Sequence, residues 1–387
     1  MKIGIYISDI LFRTGGTEAY CAYICYALQQ IYNYPEITVV SEKYKDTSIQ
    51  EFNIVSRFNS CFGMSIKDTN IKFELVFADK SNFIKRALFE RRLKQVSKSY
   101  DIFINVTINL FTFNSKFNIV IIHFPQYRKT KSAFVKKYPF MLFPAWLKDL
   151  SFLNNYDLYI TNSQYTKYWL NRIWHIDENK TALVYPAVSP ITMPVEVKSN
   201  MIFVCSRIEK SKKVEILIAA FLSNETIKHN FKLIISGSII EENAQYAQKI
   251  KNMIKGCDSI ILHENPSRNE IEKYYCNSKI FWHAKGYDIN EETDPYELEH
   301  FGITTVEAMS AGCVPVVINK GGQKEIIENG ANGFLWDTPE QLIEKTIYLF
   351  HHDDERKKMA ESAMKKAQNY SLVNFTLNFS EALKTIR

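Results

Sequence analysis

The chain has 387 residues, 46% of them hydrophobic and 23% charged, which allows two domains with real cores and excludes a disordered chain. No apolar run reaches the roughly 20 residues a bilayer span needs, and seven scattered cysteines without a C-x-x-C argue against a disulfide framework or zinc site and for a reducing cytoplasm. The net charge of +6 is uneven: residues 1–195 carry 24 Lys and Arg against 15 Asp and Glu, residues 196–387 carry 24 against 27, so the first half is expected to meet an anionic partner.

The chain opens on "KIGIYIS", a β-rich run interrupted too early by Asp9 to serve as a leader. A turn at Gly15-Gly16 follows, then a helix that Thr17 can cap, with Glu18 in its first turn. Further strands are expected at "EITVV", "FELVFA", "DIFINV", "NIVIIHF", "DLYITNS" and "TALVYP", with helical stretches between several of them. "YPAVSPITMPVEVKSN" (185–200) has three prolines and no periodicity and reads as a linker. The alternation then restarts with strands at "MIFVCSR", "FKLIISGS", "SIILHE", "KIFWHA", "CVPVVI" and "GFLW", separated by helices. The expected fold is α/β, two doubly wound parallel-sheet domains at 1–190 and 196–370. A last helix, 371–387, is expected to pack back on the first domain. Ligands of such sheets sit beyond the carboxyl ends of the strands, here in a cleft between domains.

The densest chemistry lies in "ELEHFGITTVEAMSAGCVPVVINKGG" (297–322). A helix should start near Ile303–Thr305 and stop at Gly312. Its first turn offers unpaired N–H groups and the positive end of a dipole, a fit for phosphate, and Gly302 lets the backbone approach. Gly321-Gly322 is expected to do the same one unit later. Glu307, one turn into the helix, would repel a phosphate and suits a vicinal diol such as a ribose. Glu299 suits sugar hydroxyls. The loop "SRIEKSKK" offers Arg207, Lys210, Lys212 and Lys213 as cations. Any one of these features is also what an ordinary solvated helix end gives. Their joint order carries the argument.

That order resembles the retaining glycosyltransferases of the GT-B fold, family 4, on the residues "GGTE", "IIHFP", "SRIEKSKKVEILIAAF", "EHFGITTVEAMSAGCVPVV" and "GGQKEII". The stretch "HAKGYDINEETDPYELEHFGITTVEAM" is similar to bacterial surface-polysaccharide members, and "HFP" to eukaryotic lipid-linked mannosyltransferases. The resemblance implies transfer of a hexosyl unit from a nucleotide-diphosphate sugar, such as a GDP- or UDP-hexose, to a glycan or lipid-linked saccharide, with no cofactor and no metal. It implies that Glu307 binds the ribose and Glu299 the donor sugar. The amides of Phe301, Gly302, Ile303 and Thr304 would cradle the diphosphate, which Arg207 and Lys212 would neutralise. Gly15 and Gly16 would approach the phosphate from the other domain, and His123 would face the donor sugar. Ser206 and Lys213 depart from the family pattern, which often has glycine at both places, and leave the choice between Lys212 and Lys213 open.

Two basic segments remain, "KSNFIKRALFERRLKQVSKS" (80–99), with Phe83, Leu88 and Leu93 as an apolar face, and "RKTKSAFVKKYPFMLFPAWLKDLSF" (128–152). Both suit an anionic membrane leaflet and imply a peripheral enzyme on the inner membrane face. No nucleic-acid motif accompanies the charge. Competing expectations are a nucleotide-sugar 2-epimerase of similar fold, which would act on donor alone, and a non-catalytic sugar-nucleotide-binding subunit.

Overall fold

The structure, a computed structural model, describes residues 1–8, 10, 15–33, 35–44, 53–107, 109–125, 153–191 and 197–386. The chain divides into two compact units, Met1–Ala187 with Leu372–Arg387, and Val188–Ser371.

The first unit holds seven strands: β1 Lys2–Ile7, β2 Glu36–Lys43, β3 Ile71–Phe77, β4 Ile102–Asn105, β5 Phe117–Ile122, β6 Leu158–Thr161 and β7 Thr181–Leu183. They run in the order β3-β2-β1-β4-β5-β6-β7, every pair parallel. Its helices among the described residues are α1 (Gly16–Ile31), α2 (Ile54–Phe62), α3 (Phe83–Ser97), α4 (Gln164–Trp174) and the C-terminal helix Leu372–Lys384. A parallel sheet is covered on both faces, which is why its strands are nearly continuous apolar runs. In β1, Ile3, Ile5 and Ile7 pack with Tyr20, Ile24 and Leu28 of α1 and with Phe375 and Phe379 of the C-terminal helix. Tyr6, on the opposite face, joins Phe89, Phe103, Phe111 and Phe113. Burial of each such side chain contributes about 1.5–3 kcal/mol. Cys21 and Cys25 are both buried in α1, where burial and each other's proximity push the Cys21 thiol up.

Helix α1 begins earlier than its sequence indicates. Gly15 is the N-cap, in an extended conformation with no side-chain cap, and Thr17 lies inside the first turn. The Gly15 carbonyl accepts from the Ala19 amide, so the backbone starts the helix without needing the threonine hydroxyl.

The second unit holds β8 Ser199–Cys205, β9 Lys232–Gly237, β10 Ile260–Glu264, β11 Ser278–His283, β12 Val314–Ile318 and β13 Phe334–Trp336, ordered β10-β9-β8-β11-β12-β13 and again parallel throughout. Helices α5 (Val214–Ser223), α6 (Glu225–Asn230), α7 (Ala244–Ile254), α8 (Arg268–Asn277), α9 (Ile303–Ser310), α10 (Gln323–Ile326), α11 (Pro339–His351) and α12 (Asp353–Ala367) connect and flank them. Strand order reverses between β8 and β11. That reversal opens a crevice beyond their carboxyl ends, the usual ligand position in doubly wound sheets. It brings the loop after β8 beside the residues after β11, although about 80 positions separate them in sequence.

No helix among the described residues is long and apolar enough to cross a membrane.

Candidate active site

Four connections of the second unit converge on the crevice. The loop after β8 carries Arg207 and a single 3-10 turn, Lys210–Lys212, before α5. Lys213, the N-cap of α5, has φ +54°, a left-handed conformation that a glycine adopts without strain. The turn sends Lys212 inward: its Nζ lies 2.9 Å from Glu299 Oε2, and only 15% of its side chain is exposed. Arg207 is 61% exposed and 3.3 Å from Glu209.

The second connection follows β11. His283 Nε2 lies 3.4 Å from Glu299 Oε2, and Lys285 Nζ lies 3.9 Å from the same oxygen. Since Nε2 faces a carboxylate it must carry the proton, and Nδ1 is left to accept from the Gln323 amide nitrogen at 3.4 Å. Burial lowers the His283 pKa further, with Lys212 and Lys285 adding to it against Glu299, so the ring is neutral. Burial alone would raise the Glu299 carboxyl. Lys212 and Lys285, with the His283 hydrogen bond, hold it well below the usual carboxylate range. All three of these contacts fall on Oε2.

The third connection is the start of α9. Gly302 is its N-cap at φ +124°, where a Cβ would come 2.9 Å from Gln323 Nε2. The amides of Thr305 and Val306 both donate to the Gly302 carbonyl. Among the described residues no carbonyl accepts from the amides of Gly302, Ile303 and Thr304. Phe301 is buried edge-on against Tyr370 and anchors the turn. Glu307 lies one turn on, 8% exposed. Its Oε1 accepts from Arg268 at 2.5 Å and its Oε2 from the Tyr275 hydroxyl at 3.0 Å. The helix ends at Ser310, and Gly312 follows in the left-handed region.

The fourth connection follows β12, where the close approach that Gly321 and Gly322 allow is to the protein's own backbone. The Gly322 amide donates to the Glu299 carbonyl at 2.8 Å, and side chains at the two glycines would collide with the backbone of residues 299–301. The pair clasps the Glu299 turn in place, and α10 is only four residues long.

Arg207, Lys212, Glu299, Phe301, Gly302, Ile303, Thr304 and Glu307 therefore lie in the second unit, around the ends of β8 and β11 and the start of α9. Gly15, Gly16 and His123 belong to the first unit, at the carboxyl ends of β1 and β5. The His123 ring packs edge-on against Tyr20 of α1, and its Nε2 lies 3.0 Å from the Val106 carbonyl. A carbonyl only accepts, so Nε2 holds the proton and Nδ1 keeps its lone pair. Burial lowers the His123 pKa, keeping the ring neutral. Sequence reasoning missed His283, Lys285, Arg268, Tyr275 and Gln323. For Lys285 the sequence shows only that it stands just past the expected strand "KIFWHA".

Residues 193–366 match the family model of glycosyl transferases group 1. The chain is 31% identical over 163 residues to sucrose synthase of Melioribacter roseus, covering 38% of this chain and 19% of that protein. It is 26% identical over 256 residues to the alpha-1,3/1,6-mannosyltransferase ALG2 of Saccharomyces cerevisiae, covering 58% of this chain and 50% of that protein. The matched regions thus span half or less of these curated relatives. In three dimensions the chain resembles Anabaena Alr3699/HepE, solved with UDP and glucose, with a TM-score of 0.72 at 16% identity over 99% of both chains. It also resembles a glycosyltransferase from Rickettsia africae, with a TM-score of 0.70 at 19% identity over 100% of this chain and 98% of that one. Residues 193–366 thus match the group 1 glycosyl transferase model, in a chain with the two-sheet GT-B fold.

Proposed function

We propose that the protein is a retaining glycosyltransferase of the family 4 type. It moves a hexosyl unit from a nucleotide-diphosphate sugar to a hydroxyl of a glycan or lipid-linked saccharide in surface-polysaccharide synthesis. The observation that carries this reading is the convergence on one helix start of open amides (Gly302 to Thr304), a cation (Lys212) and two acids (Glu299 and Glu307). The helix start takes the diphosphate, and Glu307 takes the ribose diol. Glu299, with Lys212, His283 and Lys285 all on the Oε2 side, accepts from the sugar through Oε1. The leaving diphosphate gathers charge as the sugar turns oxocarbenium-like, and fixed amides with Arg207 and Lys212 stabilise it without reorganising. In this reading a phosphate oxygen takes the acceptor's proton on the same face, which retains the anomeric configuration. His123, neutral, positions the donor sugar more than it acts as a base. No metal is invoked, because side-chain cations carry that role. The yeast relative's mannosyltransferase activity is consistent with a saccharide acceptor.

Thermal shift against a panel of UDP-, GDP- and ADP-hexoses tests the donor. One or more should raise the midpoint, since a ligand at 100 times its Kd stabilises by about 2.7 kcal/mol. That donor should then yield a product of unchanged anomeric configuration with a lipid-linked saccharide, in EDTA as without it. No stabilisation by any nucleotide sugar refutes the assignment, and an epimer formed from donor alone would replace it.

We further infer peripheral docking on an anionic leaflet through α3. Ile84 is 70% exposed and Leu88 48%, one turn apart on one face, beside exposed Lys85, Arg91 and Arg92. Leu93 is not part of that face: with Phe89 it is buried in the core. The Phe83 side chain and the segment 128–152 lie outside the described residues. Each basic residue near such a surface contributes about 1 kcal/mol. Flotation should recover more protein on phosphatidylglycerol vesicles than on phosphatidylcholine, and I84E/L88E should abolish the difference. Equal recovery of the unaltered protein on both would refute docking.

A further inference from the structure

We propose that Lys285 is a third cationic ligand of the donor's diphosphate, acting beside Arg207 and Lys212. The proposal rests on the nucleotide-sugar reading above and adds a residue that the motif spacing does not reveal.

The topology brings it there. Arg207 lies two residues beyond the end of β8 and Lys285 two beyond the end of β11, and these strands are neighbours at the point where strand order reverses. Both residues therefore flank one crevice mouth. The Lys285 side chain is 16% exposed, close to the 15% of Lys212, and the two ammonium groups share Glu299 Oε2 at 3.9 and 2.9 Å.

Charge completes the case. The groups facing Lys285 are Glu299 and Glu209 on one side of the balance and Lys212 and Arg207 on the other, with His283 neutral. Counting Lys285, three cations meet two carboxylates. A structural ion pair with Glu299 needs one lysine, and a second largely buried ammonium adds repulsion against Lys212. Burial, with Lys212 and Arg207, already lowers the Lys285 pKa against the pull of Glu299 and Glu209. A bound diphosphate supplies the missing anion to Lys285 and Lys212, which already share Glu299 Oε2 at the crevice mouth.

Calorimetric titration with UDP, GDP and ADP, and with uridine, guanosine and adenosine, separates the phosphate contribution from that of the nucleoside. For the diphosphate that binds, K285M should weaken affinity by about 10- to 100-fold, the usual loss for a hydrogen bond to a charged group. Affinity for the nucleoside should not change. K285R should stay near wild type. Between about pH 7 and about pH 10, wild-type affinity should fall as Lys285 gives up its proton below the ordinary lysine range, whereas K285R should give a flatter profile. Unchanged diphosphate affinity in K285M overturns the proposal while leaving the nucleotide-sugar reading intact. An equal loss for the nucleoside also overturns it, because the residue would then support the site only generally. Failure of wild-type protein to bind any diphosphate overturns both.

Discussion

Glu307→Ala is expected to lower kcat/KM for the nucleotide-sugar donor by roughly 10²–10⁴-fold while the protein stays folded. Two hydroxyl-to-carboxylate hydrogen bonds at about 1.5–3 kcal/mol each give that range. The protein survives because neither partner of the lost carboxylate is orphaned. Arg268 keeps Glu272 at 2.7 Å, and the Tyr275 hydroxyl keeps the Thr304 carbonyl at 3.2 Å. The side chain of Arg268 is also 44% exposed, so water reaches it. The stability loss should therefore stay near 1–2 kcal/mol rather than the 3–5 kcal/mol of a fully buried broken pair. Glu307→Gln, which keeps shape and loses charge, should fall between wild type and alanine. Steady-state kinetics with a thermal melt on each variant decides the matter. Wild-type turnover in the alanine variant would remove Glu307 from the site.

How much of this was legible in advance follows from what each signal measures. The strands were, because a sheet buried on both faces demands apolar runs such as "KIGIYI" and "NMIFVC", and the central strands β1, β5, β8 and β12 fall on them. The α9 start was legible because Gly302, Glu307 and Gly312 act locally, within one helix. Lys285 was not. It stands alone between Ala284 and Gly286, and its meaning comes from β8 lying next to β11, a pairing that periodicity does not encode. Arg268 and Tyr275 reach Glu307 from another helix for the same reason. Gly321-Gly322 signalled close approach without saying to what. Here it is the protein's own backbone at Glu299. Leu93 was misassigned because α3 is charged around most of its circumference, so its sequence does not mark which narrow stripe is buried.

Lys212→Ala should cost about 10²–10³ in kcat, the usual loss for one well-placed donor to a developing charge, with a smaller change in donor affinity. The neighbouring lysine provides the contrast. Lys213 holds φ +54°, which costs a non-glycine residue roughly 1–2 kcal/mol, so Lys213→Gly relieves strain and should leave both activity and melting point at or slightly above wild type. A turn with its strain relieved still delivers Lys212 to Glu299, whereas Lys212→Ala removes the inward charge and leaves Glu299 with His283 and Lys285 alone. Arg207→Ala should fall in the same direction as Lys212→Ala. The double variant should lose less than the product of the two, since both cations serve one leaving group and residues sharing a partner are not additive. If Lys213→Gly lost turnover and Lys212→Ala kept it, the cation serving the leaving group would be the other lysine, and the inward contact to Glu299 would be structural only.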